Sequence, residues 1–278
     1  MKGEQPRVTP EETLAKEQAL EQRLRKYESA AVAFSGGVDS TYLLFKAAEV
    51  LGADRVMAFT VASELTITGE AKTAKKAAES LNVDHRLLEI NLLSDPELRS
   101  NSPERCYICK KRIYGELLRL AKENCCEGVM DGSNADDTGD YRPGLRALRE
   151  LNVSSPLLEA GLGKEEIRYL SKQAGLSTWN KPSAACLASR FPYGEELNPE
   201  KLDKIAAAEK FLRQVGVVNN LRVRCHGALA RIEVDRNSFD LMQERNEEII
   251  KKFRALGFTY ITLDLNGFQS GSMDHSLS

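Results

Sequence analysis

Histidine is scarce in this chain: three in 278 residues, at 85, 226 and 275, with no spacing that builds a His-based site. Net charge is also small, −2 from 39 basic and 41 acidic residues, so no global field draws the protein to nucleic acid. No apolar run approaches the length of a membrane span, and the opening residues MKGEQPRVTPEE lack the apolar core of a secretory leader. Internal repeats and low-complexity tracts are absent from the sequence. These shortages lead us to expect a cytoplasmic protein with no membrane and no nucleic-acid partner. In that compartment six cysteines read as metal ligands or reactive thiols rather than structural disulfides. The apolar content, 42%, is enough for one large or two modest domains.

What the chain does have is concentrated in residues 31–40, AVAFSGGVDS. A short apolar strand pattern ends in a glycine-rich, hydroxyl-flanked turn and enters an amphipathic helix pattern over 41–51. Ser35, Gly36, Gly37 and Ser40 leave backbone N–H groups free to wrap an anion at the positive end of that helix. Gly36 and Gly37 let a phosphate approach the main chain. Asp39 is out of place in an anion cradle unless a metal or a cap explains it. The spacing lacks the lysine of a Walker A loop and is not a dinucleotide fingerprint. It matches the SGGxDS PP-loop of the ATP pyrophosphatases, which cleave ATP to AMP and pyrophosphate and adenylate a substrate.

Helix patterns over 9–27, 68–81, 110–123 and 164–174 alternate with strand patterns over 31–34, 55–62, 84–90 and 128–131. That alternation predicts a doubly wound parallel sheet, α/β in class, with its ligand at the strand C-terminal ends. From about residue 195 the order becomes helix (198–215), strands (221–224, 229–234), helix (238–256) and strand (258–265). This predicts a smaller α+β domain. The expected division is a PP-loop domain over 1–190 and a substrate-binding or oligomerisation domain over 195–278.

The acidic run from Asp131 to Asp137, continuing through Asp140-Tyr141-Arg142-Pro143-Gly144, follows a strand at the expected ligand edge. Carboxylates there suit Mg²⁺ held together with ATP phosphates, and Asp131 and Arg142 join the candidate nucleotide site. A polar surface loop is the alternative. Cys106 and Cys109 form a C-x-x-C followed by Lys110-Lys111-Arg112, a spacing that serves a shared metal or a redox pair. No second pair completes a four-cysteine zinc site, since the adjacent Cys125 and Cys126 read as half-buried core residues. Cys186 lies in a stretch of small residues closing on Arg190, either a reacting thiol or a filler. Three thiolates from two loops would hold three corners of an iron–sulfur cluster. Cys225, next to His226 in a strand pattern, reads as packing. Arg222 and Arg224 share one strand face and can meet one phosphate together; a solvated charged face is the alternative.

Together, SGGVDS, DYRPGLRAL, TWNK, SRFPYG, the RVR strand and LDLNGFQSG resemble the LarE family of ATP-dependent sulfur transferases over nearly the whole chain. The resemblance implies ATP- and Mg²⁺-dependent adenylation of the carboxylates of a pyridinium biscarboxylate mononucleotide. Sulfur then displaces AMP to give thiocarboxylates, for the nickel-pincer cofactor of lactate racemase. Carried over by position, Ser35, Gly36, Gly37, Asp39 and Ser40 hold the ATP phosphates. Ser189, Arg222 and Arg224, with Arg190 beside them, take the substrate phosphate, and Glu209 and Glu233 are metal-binding carboxylates. A third such carboxylate does not align; Asp240 is one position off. The single-cysteine form of the family has a sacrificial cysteine where this chain has Ala185, with Cys186 one residue on. Cys106, Cys109 and Cys186 therefore resemble the three-cysteine subset, which delivers sulfur from a 4Fe-4S cluster. A sulfide or other sulfur donor and a homo-oligomer are implied as well.

Other readings compete with this one. One is sacrificial transfer from Cys186. Another is a different PP-loop enzyme, either a tRNA thiolase or an amidotransferase like the NAD and GMP synthetases. A third is a non-enzymatic nucleotide-binding module with zinc at Cys106, Cys109 and Cys186. The charge balance and the length count against the second of these.

Overall fold

The structure, a computed structural model, describes residues 9–67, 69–138, 143–182, 185–269 and 271–273. In chain order the elements are α1 (Pro10–Leu24), β1 (Ala30–Ala33), α2 (Val38–Leu51), β2 (Val56–Ala62), α3 (Glu70–Ser80), β3 (Asp84–Glu89), α4 (Pro96–Arg99), α5 (Arg105–Glu123) and β4 (Gly128–Met130). They continue with α6 (Pro143–Glu150), α7 (Pro156–Glu159), α8 (Lys164–Gln173), α9 (Pro199–Val215), β5 (Leu221–His226), β6 (Leu229–Val234), α10 (Phe239–Glu244), α11 (Asn246–Ala255) and β7 (Tyr260–Leu263). The chain forms two compact units. The first holds residues up to 62 with 69–90 and 106–181, and the second gathers 63–68, 91–105 and 182 onward.

The first unit is the expected parallel α/β sheet, in the order β3-β2-β1-β4. Period-two side-chain alternation gives the sheet two buried faces. Ala30, Val32 and Phe34 join Leu20, Leu24, Tyr42, Leu43, Leu44 and Ile167 in one core. Ala31 and Val129 join Phe59, Tyr114, Leu117 and Leu148 in the other. Each large apolar side chain so buried contributes about 1.5–3 kcal/mol. From β1 the chain steps outward to β2 and β3, then returns to place β4 on the other side of β1. That reversal opens a crevice at the C-terminal ends of β1 and β4, where ligands of doubly wound sheets bind.

The second unit carries a mixed three-stranded sheet, β5-β6-β7, antiparallel then parallel. Asn198 caps α9 by accepting the Lys201 N–H at 2.8 Å. Leu202, Ile205, Ala208 and Leu212 are buried at helical spacing along α9. Two boundaries differ from the sequence expectation. The helix expected from Lys110 starts at Arg105, and the one expected over 238–256 is interrupted at Arg245, before Asn246. Asparagine favours caps over helix interiors because its amide competes for the backbone.

Candidate active site

β1 and β4 run side by side, with Val32 opposite Met130, so the turns that leave them lie together. Gly36 has φ +67°, and a Cβ there would lie 3.0 Å from Cα of Ala74 in α3, so both backbone and space require glycine. The Ser35 and Ser40 hydroxyls are 3.0 Å apart, and Ser35 Oγ accepts the Gly37 N–H at 3.3 Å. The turn is thus held by its own hydroxyls, with Gly37 as the N-cap of α2 and no side chain covering it. An anion seated there would meet free N–H groups and the positive end of a 14-residue helix.

Asp39, in the first turn of α2, accepts the ammonium of Lys164 on Oδ2. Its Oδ1 is buried without a hydrogen-bond partner among the described residues. A second lysine, Lys181, donates to the Gly36 carbonyl at 2.9 Å. Sequence reading missed both lysines; the only local signal for Lys164 is its place directly after the glycine that opens α8.

The acidic run after β4 is used differently from the expectation. Gly132 lets its loop close on the phosphate turn, for a Cβ there would be 3.2 Å from the Ser40 backbone. Asp131 turns inward, accepting from Tyr114 Oη at 2.7 Å, Lys110 Nζ at 3.2 Å and the Ser133 N–H at 2.8 Å. Burial would raise its carboxyl, but Lys110 and the Ser133 and Tyr114 hydrogen bonds outweigh that and hold it below the usual range. The same burial, with the charges of Asp131 and Cys109, pushes the Tyr114 phenol well up. Asp136 accepts the Lys164 N–H at 2.7 Å and so caps α8, and Asp137 accepts the Asn134 N–H. Arg142, with Asp140 and Tyr141 of the same motif, lies outside the described residues.

Cys106 and Cys109 fall in the first turns of α5, three residues apart on one helix face. The first is exposed and the second partly so. Of the cations beside them, Lys110 reaches Asp131 and Lys111 pairs with Glu150 at 2.6 Å. Cys125 and Cys126 follow that helix, and burial pushes the Cys126 thiol up. Burial also raises Cys225, whose thiol donates to the Gly227 carbonyl.

In the second unit Cys186 is exposed while its carbonyl is fixed, accepting from Ser189 Oγ at 2.7 Å and Arg190 Nη1 at 2.9 Å. Arg190 is fully buried and makes a two-point pair with Glu209, both contacts at 2.9 Å. Glu209 also accepts the Val223 N–H of β5 at 3.0 Å. Arg224 pairs with Glu233, which is completely buried and also receives Ser272 and Arg231. A cation reaching Glu209 or Glu233 would therefore displace a guanidinium. Arg222 lies over the Phe268 ring and donates to the Leu221 carbonyl. Burial, then the nearby charge of Arg190, Arg224 and Arg213, pushes its guanidinium down to about 10, despite Glu209. An anion beside Arg222 would relieve that strain. Asn101, buried at φ +54°, donates to the Pro192 carbonyl at 2.8 Å and accepts from Arg105, fixing the FPYG segment after Arg190. Nothing in the sequence near Asn101 announces this role.

Cys106 and Cys109 belong to the first unit and Cys186 to the second. Among the described residues no three His, Cys, Asp or Glu side chains come together as a metal site. No helix among them is long and apolar enough to cross a membrane.

The family model described as "Asparagine synthase" matches residues 14–96, which include the phosphate turn. The chain is 39% identical to the pyridinium-3,5-bisthiocarboxylic acid mononucleotide synthase of Lactiplantibacillus plantarum, over 96% of each chain. It is also 39% identical to an uncharacterized protein of Synechocystis sp., over 93% of this chain and 97% of that one. An uncharacterized protein of Methanocaldococcus jannaschii is 33% identical, over 88% of this chain and 92% of its own. A phosphate turn built for ATP, and near-full-length likeness to such a synthase, place the chain in the LarE family of PP-loop, ATP-dependent sulfurtransferases.

Proposed function

We propose that the protein uses ATP to adenylate the carboxylates of pyridinium-3,5-biscarboxylic acid mononucleotide and converts them to thiocarboxylates for a nickel-pincer cofactor. The observation that carries this reading is the 39% identity to the bisthiocarboxylic acid mononucleotide synthase across 96% of both chains. In the first step a substrate carboxylate oxygen attacks the α-phosphorus of ATP, the Pα–O–Pβ bond breaks, and pyrophosphate leaves. A sulfur nucleophile then attacks the acyl carbon and AMP departs. Ser35, Gly36, Gly37 and Ser40 bind the ATP phosphates, because their turn offers N–H groups at a helix start. Arg222 and Arg224, with Ser189 and Arg190 beside them, bind the mononucleotide phosphate, which the crowded guanidiniums around Arg222 favour.

Asp39 fits a magnesium ligand, since its Oδ1 is buried and lacks a partner among the described residues. Mg²⁺ held there would neutralise phosphate charge as pyrophosphate leaves. For sulfur, the donor chemistry of Cys106, Cys109 and Cys186 fits a 4Fe-4S cluster: two thiols one helical turn apart and a third, exposed, on a fixed backbone. When bound, such a cluster would supply transferable sulfide, replenished by an external sulfur donor. The chain's own part is to present the thiols at α5 and at the Cys186 turn. Family resemblance supports assembly as a homo-oligomer and a division of labour between residues 1–190 and 195–278.

The test joins two measurements on anaerobically reconstituted protein. Pyrophosphate release should require the biscarboxylate mononucleotide, and about four irons per chain should be found and lost in Cys106→Ala, Cys109→Ala and Cys186→Ala. Pyrophosphate release without the mononucleotide, or only with tRNA or ammonia, would overturn the substrate. No iron, with a mass loss of one sulfur at Cys186 after turnover, would replace the cluster by a sacrificial cysteine.

A further inference from the structure

Asp39 poses an electrostatic problem that the family reading alone leaves open. A carboxylate in the first turn of α2 faces the very phosphates the turn is built to hold, and like charges a few ångströms apart repel by several kcal/mol at partly buried sites. In the structure that carboxylate has a partner from far along the chain, the Lys164 ammonium, 125 residues away. Both side chains are partly buried, Lys164 at 27% and Asp39 at 20% exposure, so the pair is neither solvated nor locked in a core.

Lys164 is held at this place by its backbone. It is the first residue of α8, and its N–H donates to Asp136 Oδ2 at 2.7 Å. The preceding Gly163 leaves the room for this, because a Cβ there would lie 3.2 Å from Asp136 Oδ1. Glu166 closes the same turn by accepting the Gly163 N–H at 2.8 Å, and Lys16 anchors Glu166 in turn. The backbone of Lys164 is therefore fixed, whereas its ammonium rides on a flexible four-carbon stem. Lys164 engages only Oδ2 of Asp39, and Oδ1 is left without a partner among the described residues.

We propose that Lys164 is an exchangeable counter-ion. It neutralises Asp39 while the phosphate turn is empty, yields the carboxylate to the divalent cation that enters with ATP, and moves its ammonium onto the polyphosphate. Asp136 is the positioning residue that sets the pivot. The net charge around the turn is then balanced in both states. This rests on the ATP-site reading of the turn. It adds a role for two residues, Lys164 and Asp136, that the SGGVDS motif does not contain.

The proposal makes the Mg²⁺ dependence of ATP binding its readout. ATP affinity of the full-length protein, without mononucleotide, is measured by equilibrium dialysis in EDTA and in excess Mg²⁺. Lys164→Met should weaken metal-free ATP about tenfold or more, since a charge-assisted contact is lost and Asp39 is left bare. MgATP should weaken about threefold or less, so the ratio of the two dissociation constants rises. Asp39→Asn should move the ratio the other way, by tightening metal-free ATP and removing most of the gain from Mg²⁺. Equal losses in both media for Lys164→Met, or a ratio that Asp39→Asn leaves unchanged, would overturn the exchange. If the wild-type protein binds ATP in neither medium, the ATP-site reading fails and the proposal with it.

Discussion

Removing the charge of Glu209 should cost the second unit much of its stability. Arg190 is fully buried, its guanidinium making two 2.9 Å contacts with Glu209 and two more with the carbonyls of Ala185 and Cys186. Glu209→Gln preserves shape and still offers an oxygen to the Val223 N–H, so it isolates the charge. An uncompensated buried guanidinium costs about 3–5 kcal/mol. With a urea slope of about 1–3 kcal/mol/M, the unfolding midpoint should fall by roughly 1–3 M. Arg190→Met/Glu209→Met removes both charges but orphans the two carbonyls, and should regain about half of the loss. The assay is urea unfolding followed by far-UV circular dichroism, with the slope checked for constancy. A Gln variant within about 0.5 kcal/mol of wild type would refute the reasoning, because it would mean that water or a cation already reaches the pair.

Two further outcomes are expected. Gly36→Ala places a Cβ 3.0 Å from the α3 backbone at φ +67° and should destabilise by about 2–4 kcal/mol while abolishing MgATP retention on dialysis; normal retention would separate the turn from ATP. His85 is held below its usual 6.5, first by burial and then by Lys75, with Glu79 and Asp84 opposing. The unfolded chain takes up that proton first as pH falls through about 6.5, so stability present at pH 7.5 should decline by pH 5.5. The decline should shrink in His85→Gln, and an unchanged pH profile in that variant would rule His85 out.

The phosphate turn was legible because its signals are local: an apolar run, two glycines, and a helix pattern with hydroxyls at its start. So was the alternation that yields a parallel sheet. The acidic run shows the limit. Sequence supplies Asp131, Asp136 and Asp137 but not their directions; those of Asp131 and Asp136 are set by Tyr114, Lys110 and Lys164, residues 17 to 28 positions away. Arg190 read as a surface phosphate ligand because nothing in its neighbourhood shows that Glu209 will enclose it. The start of α5 was placed late because Cys-Tyr-Ile-Cys does not display the periodicity that the following residues do. The membership of segments 63–68 and 91–105 in the second unit has no compositional trace at all.

Those two segments bear on how the protein can be made. Leu187 donates its N–H to the Leu65 carbonyl, Gly194 to Asn101 and Leu197 to Arg99, so stretches of chain separated by roughly a hundred residues share backbone hydrogen bonds. On the ribosome, the early segments emerge long before their partners and must wait, unpaired, until the last third of the chain has been synthesised. No single cut yields two self-sufficient fragments: a piece ending near residue 181 carries orphaned acceptors, and a piece starting at 182 lacks the Asn101 clamp. The adenylating half and the sulfur-bearing half are thus inherited as one gene product, and swapping either between relatives would require several junctions rather than one.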